Sequence, residues 1–216
     1  MQTQGKEHPE YPIDYPVRIS EGNEKIGPIL NVSFPPATSC QPGVPCAKEG
    51  CYAKKAWKQY PGTRRAWTHN WRKLNHNRDA FFEDIHQRLV TKPRQRKFPI
   101  FFRWQVSGDI PDQDYVERMK DMARAHSGIY MTAFTKNYSL NISNLPRNLT
   151  IIPSAWPKLS MPEEVVYGSR IAWMYDSKNV DERIKGNYYV CSGSCTGCWA
   201  CWHINELEKD VLFHKH

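Results

Sequence analysis

Along residues 78–90, RDAFFEDIHQRLV, the apolar positions Phe81, Phe82, Ile85 and Leu89 recur at helical spacing between charged ones. The spacing predicts an amphipathic helix, with Asp79 suited to its positive N-terminal end. Residues 113–126 repeat the pattern with Val116, Met119 and Ala123 on one face, and residues 53–60 (AKKAWKQY) extend as another helix up to the Pro61-Gly62 break. The other apolar runs are shorter. Residues 28–34 (PILNVSF), 99–106 (PIFFRWQV), 128–134, 149–153 and 170–175 (RIAWMY) read as buried strands closed by turn-forming residues. Strands alternating with helices imply an α/β fold with a mostly parallel sheet, here expected to curve as a partial (β/α) barrel. On this pattern the chain divides into an N-terminal extension over 1–25, the α/β partial-barrel domain over 26–185, and a cysteine-rich C-terminal segment over 186–216 packed on it.

Polar residues gather at one kind of place. Ser107, Gly108 and Asp109, then Thr135 and Lys136, then Ser154, then Asp176, each follow the C-terminal end of an expected strand, where α/β folds build their sites. They are expected to face a common pocket, although strand ends are also where Gly, Ser and Asp make ordinary turns. Arg103 and Gln105 stand apart: they alternate with Phe102, Trp104 and Val106 inside a buried strand, so each needs something polar to pair with.

Hydrophobic residues make up 40% of the 216, enough for a core. The longest apolar runs fall far short of the ~20 residues of a membrane span, and the start MQTQGKEHPEYP has neither the charged nor the apolar region of a secretory signal. The expectation is a soluble cytoplasmic protein with no membrane partner, in which thiols stay reduced. The seven cysteines then carry the chemistry. Cys40, Cys46 and Cys51 lie in SCQPGVPCAKEGCYA with spacing C-x5-C-x4-C, and Cys191, Cys195, Cys198 and Cys201 lie in CSGSCTGCWAC with spacing C-x3-C-x2-C-x2-C. Four thiolates can ligate a [4Fe-4S] cluster or a zinc ion, and three leave one position for another ligand. Zinc sites usually come as two separated cysteine pairs, whereas short consecutive spacings follow the ligand runs of bacterial ferredoxins. One or two [4Fe-4S] clusters are therefore expected, with zinc as the alternative, and a cluster implies a reductant as partner.

Taken in order, SCQPGVPCAKEGCYA, RWQVSGDI, AFTKNY, LPRNLTIIPS and the late cysteine run resemble the phage-encoded gene product 88 family, over residues 26–202. The resemblance implies a phage or prophage origin, hence the cytoplasm of a bacterial host, and an iron–sulfur site. There is also a distant likeness to radical S-adenosylmethionine enzymes, which place three cysteines, commonly ending in Cys-Tyr, after the first strand of a partial barrel and a GGE-like motif after the second. Cys51-Tyr52 and Ser107-Gly108-Asp109 occupy similar places, while the spacing departs from the usual C-x3-C-x2-C. The likeness implies S-adenosylmethionine as a cofactor on an iron left open by Cys40, Cys46 and Cys51. Asp109 would accept from its ammonium, and Arg103, Thr135, Lys136 and Ser154 would line the same pocket.

Charge adds a further candidate. The net charge is +8, and Lys54, Lys55, Lys58, Arg64, Arg65, Arg72 and Lys73 fall in a stretch with no acidic residue, interleaved with Trp57, Tyr60, Trp67 and Trp71. Cations can neutralise phosphates while rings stack on unpaired bases, which makes Arg64, Arg65, Trp67, Trp71, Arg72 and Lys73 a candidate nucleic-acid surface. Trp67 and Trp71, four apart, also suit the core face of a helix. A second basic run covers 92–97. Three functions are left open: a radical-type enzyme, a non-catalytic iron–sulfur protein for electron transfer or redox sensing, and a nucleic-acid-binding protein with a structural cluster.

Overall fold

In this computed structural model, residues 10–48, 50–91, 100–157, 159–175, 182–184 and 186–214 are described. The expected strand end at Asp176 and the basic run 92–97 lie outside them. The chain runs β1 (Leu30–Asn31), a 3-10 turn (Pro45–Ala47), α1 (Tyr52–Gln59), α2 (Pro61–His76) and α3 (Arg78–Thr91). It continues through β2 (Ile100–Arg103), α4 (Gln113–Ala125), β3 (Ile129–Thr135), β4 (Leu149–Pro153), α5 (Glu163–Gly168) and β5 (Ala172–Tyr175). Last come β6 (Tyr188–Val190), a 3-10 turn (Ala200–Trp202), α6 (Ile204–Leu207) and β7 (Asp210–His214). No helix among the described residues is long and apolar enough to cross a membrane.

The two amphipathic helices form where their stripes and caps agree. The Ala80 amide donates to Asn77 Oδ1 at 2.9 Å before α3, and the Tyr115 amide donates to Asp112 Oδ1 at 3.0 Å at the start of α4. Arg78 donates to both oxygens of Asp112 at 2.8 Å, which holds the two helix starts together. Phe81, Phe82, Ile85 and Leu89 of α3 meet Tyr115, Val116, Met119 and Ala123 of α4 in the main core, under Leu30, Phe102, Met131 and Leu149 of the first four strands.

Among the described residues all paired strands run parallel, as expected of an α/β chain, but they form two sheets where one curved sheet was expected: β1-β2-β3-β4 and β5-β7-β6. In the second sheet β7 inserts between β5 and β6. A single bridge between Ser154 and Ala172 joins the sheets. From Glu10 the N-terminal stretch is built into this body. Val17 is buried in the main core, its amide donates to Asp84 at 2.9 Å, and Arg18 and Asn70 exchange two hydrogen bonds of 2.8 and 3.0 Å.

In the first sheet, alternate residues serve opposite faces. Phe102, Met131, Ala133 and Leu149 look toward the helices, while Phe101, Tyr130, Thr132, Phe134 and Thr150 look the other way. That second face is covered by the cysteine-rich segment.

Candidate functional site

The strand ends converge. Asp109 is buried, and its Oδ1 accepts from the Ile110 amide and from Thr135 Oγ1, both at 2.7 Å, while its Oδ2 accepts from the Lys136 amide at 2.9 Å. Burial raises the carboxyl above its usual range, and the Thr135, Lys136 and Ile110 donors pull it back. Lys136 Nζ reaches Ser154 Oγ at 3.2 Å and lies over the Trp156 ring, and Tyr138 donates to Ser154 O at 2.7 Å. So Asp109, Thr135, Lys136 and Ser154 do share one place, with Asp109 as the group that ties the ends together. Gly108 makes this possible with φ of +86°, a conformation that brings the chain against Ser39 and Phe34. Ser107 Oγ is enclosed there without a hydrogen-bond partner.

Cys40, Cys46 and Cys51 sit in the loop between β1 and α1, all half-buried and free. The loop is fastened to the same strand end, since the Asp109 amide donates to Ser39 O at 3.2 Å. Burial pushes the Cys40 thiol up to about 11, with Asp109, Cys46 and Cys51 adding to the rise. Cys46 is also raised by burial, and the Lys136 ammonium works against that. Cys40 and Cys46 therefore feel Cys51 and the strand-end charges.

Cys191, Cys195, Cys198 and Cys201 form the second group, also half-buried and free. Their segment is pinned to the far face of the first sheet. Thr132 Oγ1 donates to Cys201 O at 3.3 Å, Thr150 Oγ1 to Trp202 O at 3.1 Å, and Trp202 Nε1 to Phe102 O at 3.1 Å. Burial pushes the Cys201 thiol up to about 12 and raises Cys195; in both, Arg103 pulls down and the neighbouring cysteines push further up. Two contacts reach the sulfurs themselves: Tyr189 Oη lies 3.2 Å from Cys198 Sγ, and the Gly193 amide donates to Cys191 Sγ at 3.4 Å.

Sequence reasoning passed over Tyr189 and Trp202. Their signals were a β-prone Tyr188-Tyr189-Val190 triplet directly before Cys191 and an aromatic directly after Cys201. Arg103 and Gln105 point to opposite faces. Gln105 Nε2 donates to Tyr115 Oη at 2.6 Å on the helix side, with φ of +42°. Arg103 lies over Phe134, its guanidinium carbon 4.9 Å from the ring centre, on the cysteine side.

The candidate nucleic-acid residues separate. Lys73 is buried, 2.5 Å from Asp84 and 2.9 Å from Tyr15 O, and Trp71 packs on Phe34 at 5.3 Å. Arg72 pairs with Glu10, Arg65 bonds Tyr11 Oη at 3.1 Å, and Trp67 stacks on Trp57. These side chains fasten α2 to its neighbours, and Arg64 is exposed together with Lys55 and Lys58.

Among the described residues, no three His, Cys, Asp or Glu side chains stand ready to share a single metal ion. One tetrahedral zinc with Zn–S near ~2.3 Å needs its sulfurs within about 4 Å of one another, whereas a multi-iron cluster spreads its thiolates around a larger core. Compared with known proteins, residues 17–209 match the family model described as Gene product 88. Neither the curated proteins nor the solved structures contain a match.

Proposed function

The chain belongs to the Gene product 88 family, and from its two thiol groups we propose an iron–sulfur protein with two separate clusters. Cys191, Cys195, Cys198 and Cys201 would hold one, and Cys40, Cys46 and Cys51 the other, with a ligand position left open. The observation that carries this reading is the grouping of the thiols on two loops: Cys40 and Cys46, raised first by burial, are pushed further by Cys51, and Cys195 and Cys201, raised first by burial, are pushed further by Cys191 and Cys198. By number and type these donors suit thiolate-ligated clusters. When bound, such a cluster supplies one-electron chemistry at a potential set by charge, hydrogen bonds and exposure.

The chain's own part is to hold and shield. Thr132, Thr150 and Trp202 anchor the late loop to the sheet, Tyr189 and the Gly193 amide lie where they can hydrogen-bond thiolates, and Phe101 and Ile29 pack beside Cys195 and Cys201 to exclude water. The partial-barrel form is supported by helices standing on the outer faces of both sheets and by the Ser154–Ala172 bridge between them. Anaerobically purified protein is expected to be brown and to contain iron with an equal amount of acid-labile sulfide. Stoichiometric zinc without sulfide contradicts the proposal.

A second reading, a radical-type enzyme using S-adenosylmethionine, is favoured by one feature: the three-thiol loop shares a strand end with Asp109, Thr135, Lys136 and Ser154. Asp109 Oδ2 accepts one hydrogen bond, from the Lys136 amide, which leaves it an acceptor position for a ligand's ammonium. Adding S-adenosylmethionine to dithionite-reduced protein should then change the EPR spectrum of the early cluster. A spectrum indifferent to it in fully loaded protein favours the electron-transfer reading.

A further inference from the structure

Arg103 ends β2 in a lateral row with Asn31, Thr132 and Thr150, registered across four parallel strands and sharing one face. Thr132 and Thr150 use that face to hold the turn carrying Cys201 and Trp202. The Arg103 side chain is half-buried in the same direction, over Phe134, and Phe134 packs into the cluster that Cys191 and Cys201 also join. Its Nε is enclosed with no hydrogen-bond partner. Withdrawing a cation from water is unfavourable unless a counter-charge meets it. A ring face and protonated thiols are weak compensation.

Resting on the two-cluster reading, we propose that Arg103 is a positioning residue that supplies the counter-charge of the late thiolate group and raises its reduction potential. Four thiolates concentrate negative charge in a loop without a lysine or arginine between Cys191 and Cys201. Taking one electron from a reductant such as dithionite adds a further negative charge, with no proton gained and no bond broken. A fixed guanidinium at the edge of the group lowers the free energy of that more negative state.

The test compares wild type, Arg103→Lys and Arg103→Met in two states. In loaded protein, an EPR-monitored potentiometric titration should move the late midpoint of Arg103→Met to more negative potential. The expected shift is about tenfold in the electron-uptake equilibrium, ~59 mV for a one-electron couple, and Arg103→Lys should recover most of it. In cluster-free protein, Arg103→Met should melt at the wild-type temperature or above it, because an unpaired half-buried cation has been removed. Iron lost from Arg103→Met and restored in Arg103→Lys also supports the proposal. An unchanged midpoint in fully loaded Arg103→Met, iron lost equally from both variants, or a cluster-free Arg103→Met that melts well below wild type overturns it. Wild-type protein without iron and sulfide overturns the two-cluster reading and this proposal together.

Discussion

Gly108→Ala is expected to lower stability by about 2–5 kcal/mol. The φ of +86° at this position disfavours any L side chain by about 1–2 kcal/mol. A Cβ there would stand 2.4 Å from Ser39 Oγ and 2.8 Å from Phe34 Cβ. Phe34 cannot yield, since it is fully buried among Trp71, Phe81 and Tyr115, and forced overpacking of this kind costs about 1–3 kcal/mol. In a chain of this size a loss of ~3 kcal/mol lowers the midpoint of thermal unfolding by roughly 6–12 °C. Gly62→Ala is the control, because nothing lies within 4 Å of its Cβ position at the start of α2. Equal melting of the two variants would refute the close approach at Gly108.

Asp109→Ala should cost about 3 kcal/mol, for a different reason. It strands the Ile110 and Lys136 amides and the Thr135 hydroxyl, three donors at about 1 kcal/mol each. Asp109→Asn keeps one acceptor but sets an amide donor against the Lys136 amide, and so should fall between wild type and alanine. The sign of its pH dependence follows from the raised carboxyl. Protonation favours the folded wild type, so its stability falls as pH rises through the folded value, and the gap to the non-titrating Asp109→Asn narrows between the ordinary carboxylate range and that value. Chemical denaturation across this range reads both effects. Asp109→Ala as stable as wild type would mean that the strand ends are held by other bonds.

What the sequence disclosed follows from how local each signal was. The helices of Phe81 and Tyr115 were legible because stripe, cap and length agree within a dozen residues, and β4 over Leu149–Pro153 because a short apolar run is closed on both sides. The run over 28–34 shortens to Leu30–Asn31 in regular pairing, since beyond it Phe34 is tied to Ser107 outside any strand. Of the second sheet only β5 was legible, from the apolar run 170–175. Its central strand, DVLFH, pairs with Ala172–Tyr175 and with Tyr188–Val190, and nothing in its own alternation names those partners. Convergence of the strand ends on Asp109 was readable from polar residues after each strand. The commitment of Lys73 to Asp84 and Tyr15 was not, because a buried lysine looks like a solvated one until the chain that covers it is in place. Arg103 announced itself as a polar residue inside an apolar strand, and the structure lays it over Phe134, on the face that the cysteine-rich segment covers.

The central claim, two independent cysteine-ligated clusters, is tested most directly by counting iron and sulfide in wild type and in two set variants, one with Cys40, Cys46 and Cys51 changed to serine and one with Cys191, Cys195, Cys198 and Cys201 changed to serine. The account predicts about eight iron and eight sulfide per wild-type chain. Roughly half should be retained in each variant, with distinct EPR spectra on reduction. Removal of all iron by either set alone, with both variants folded by circular dichroism, would show one shared cluster and contradict it.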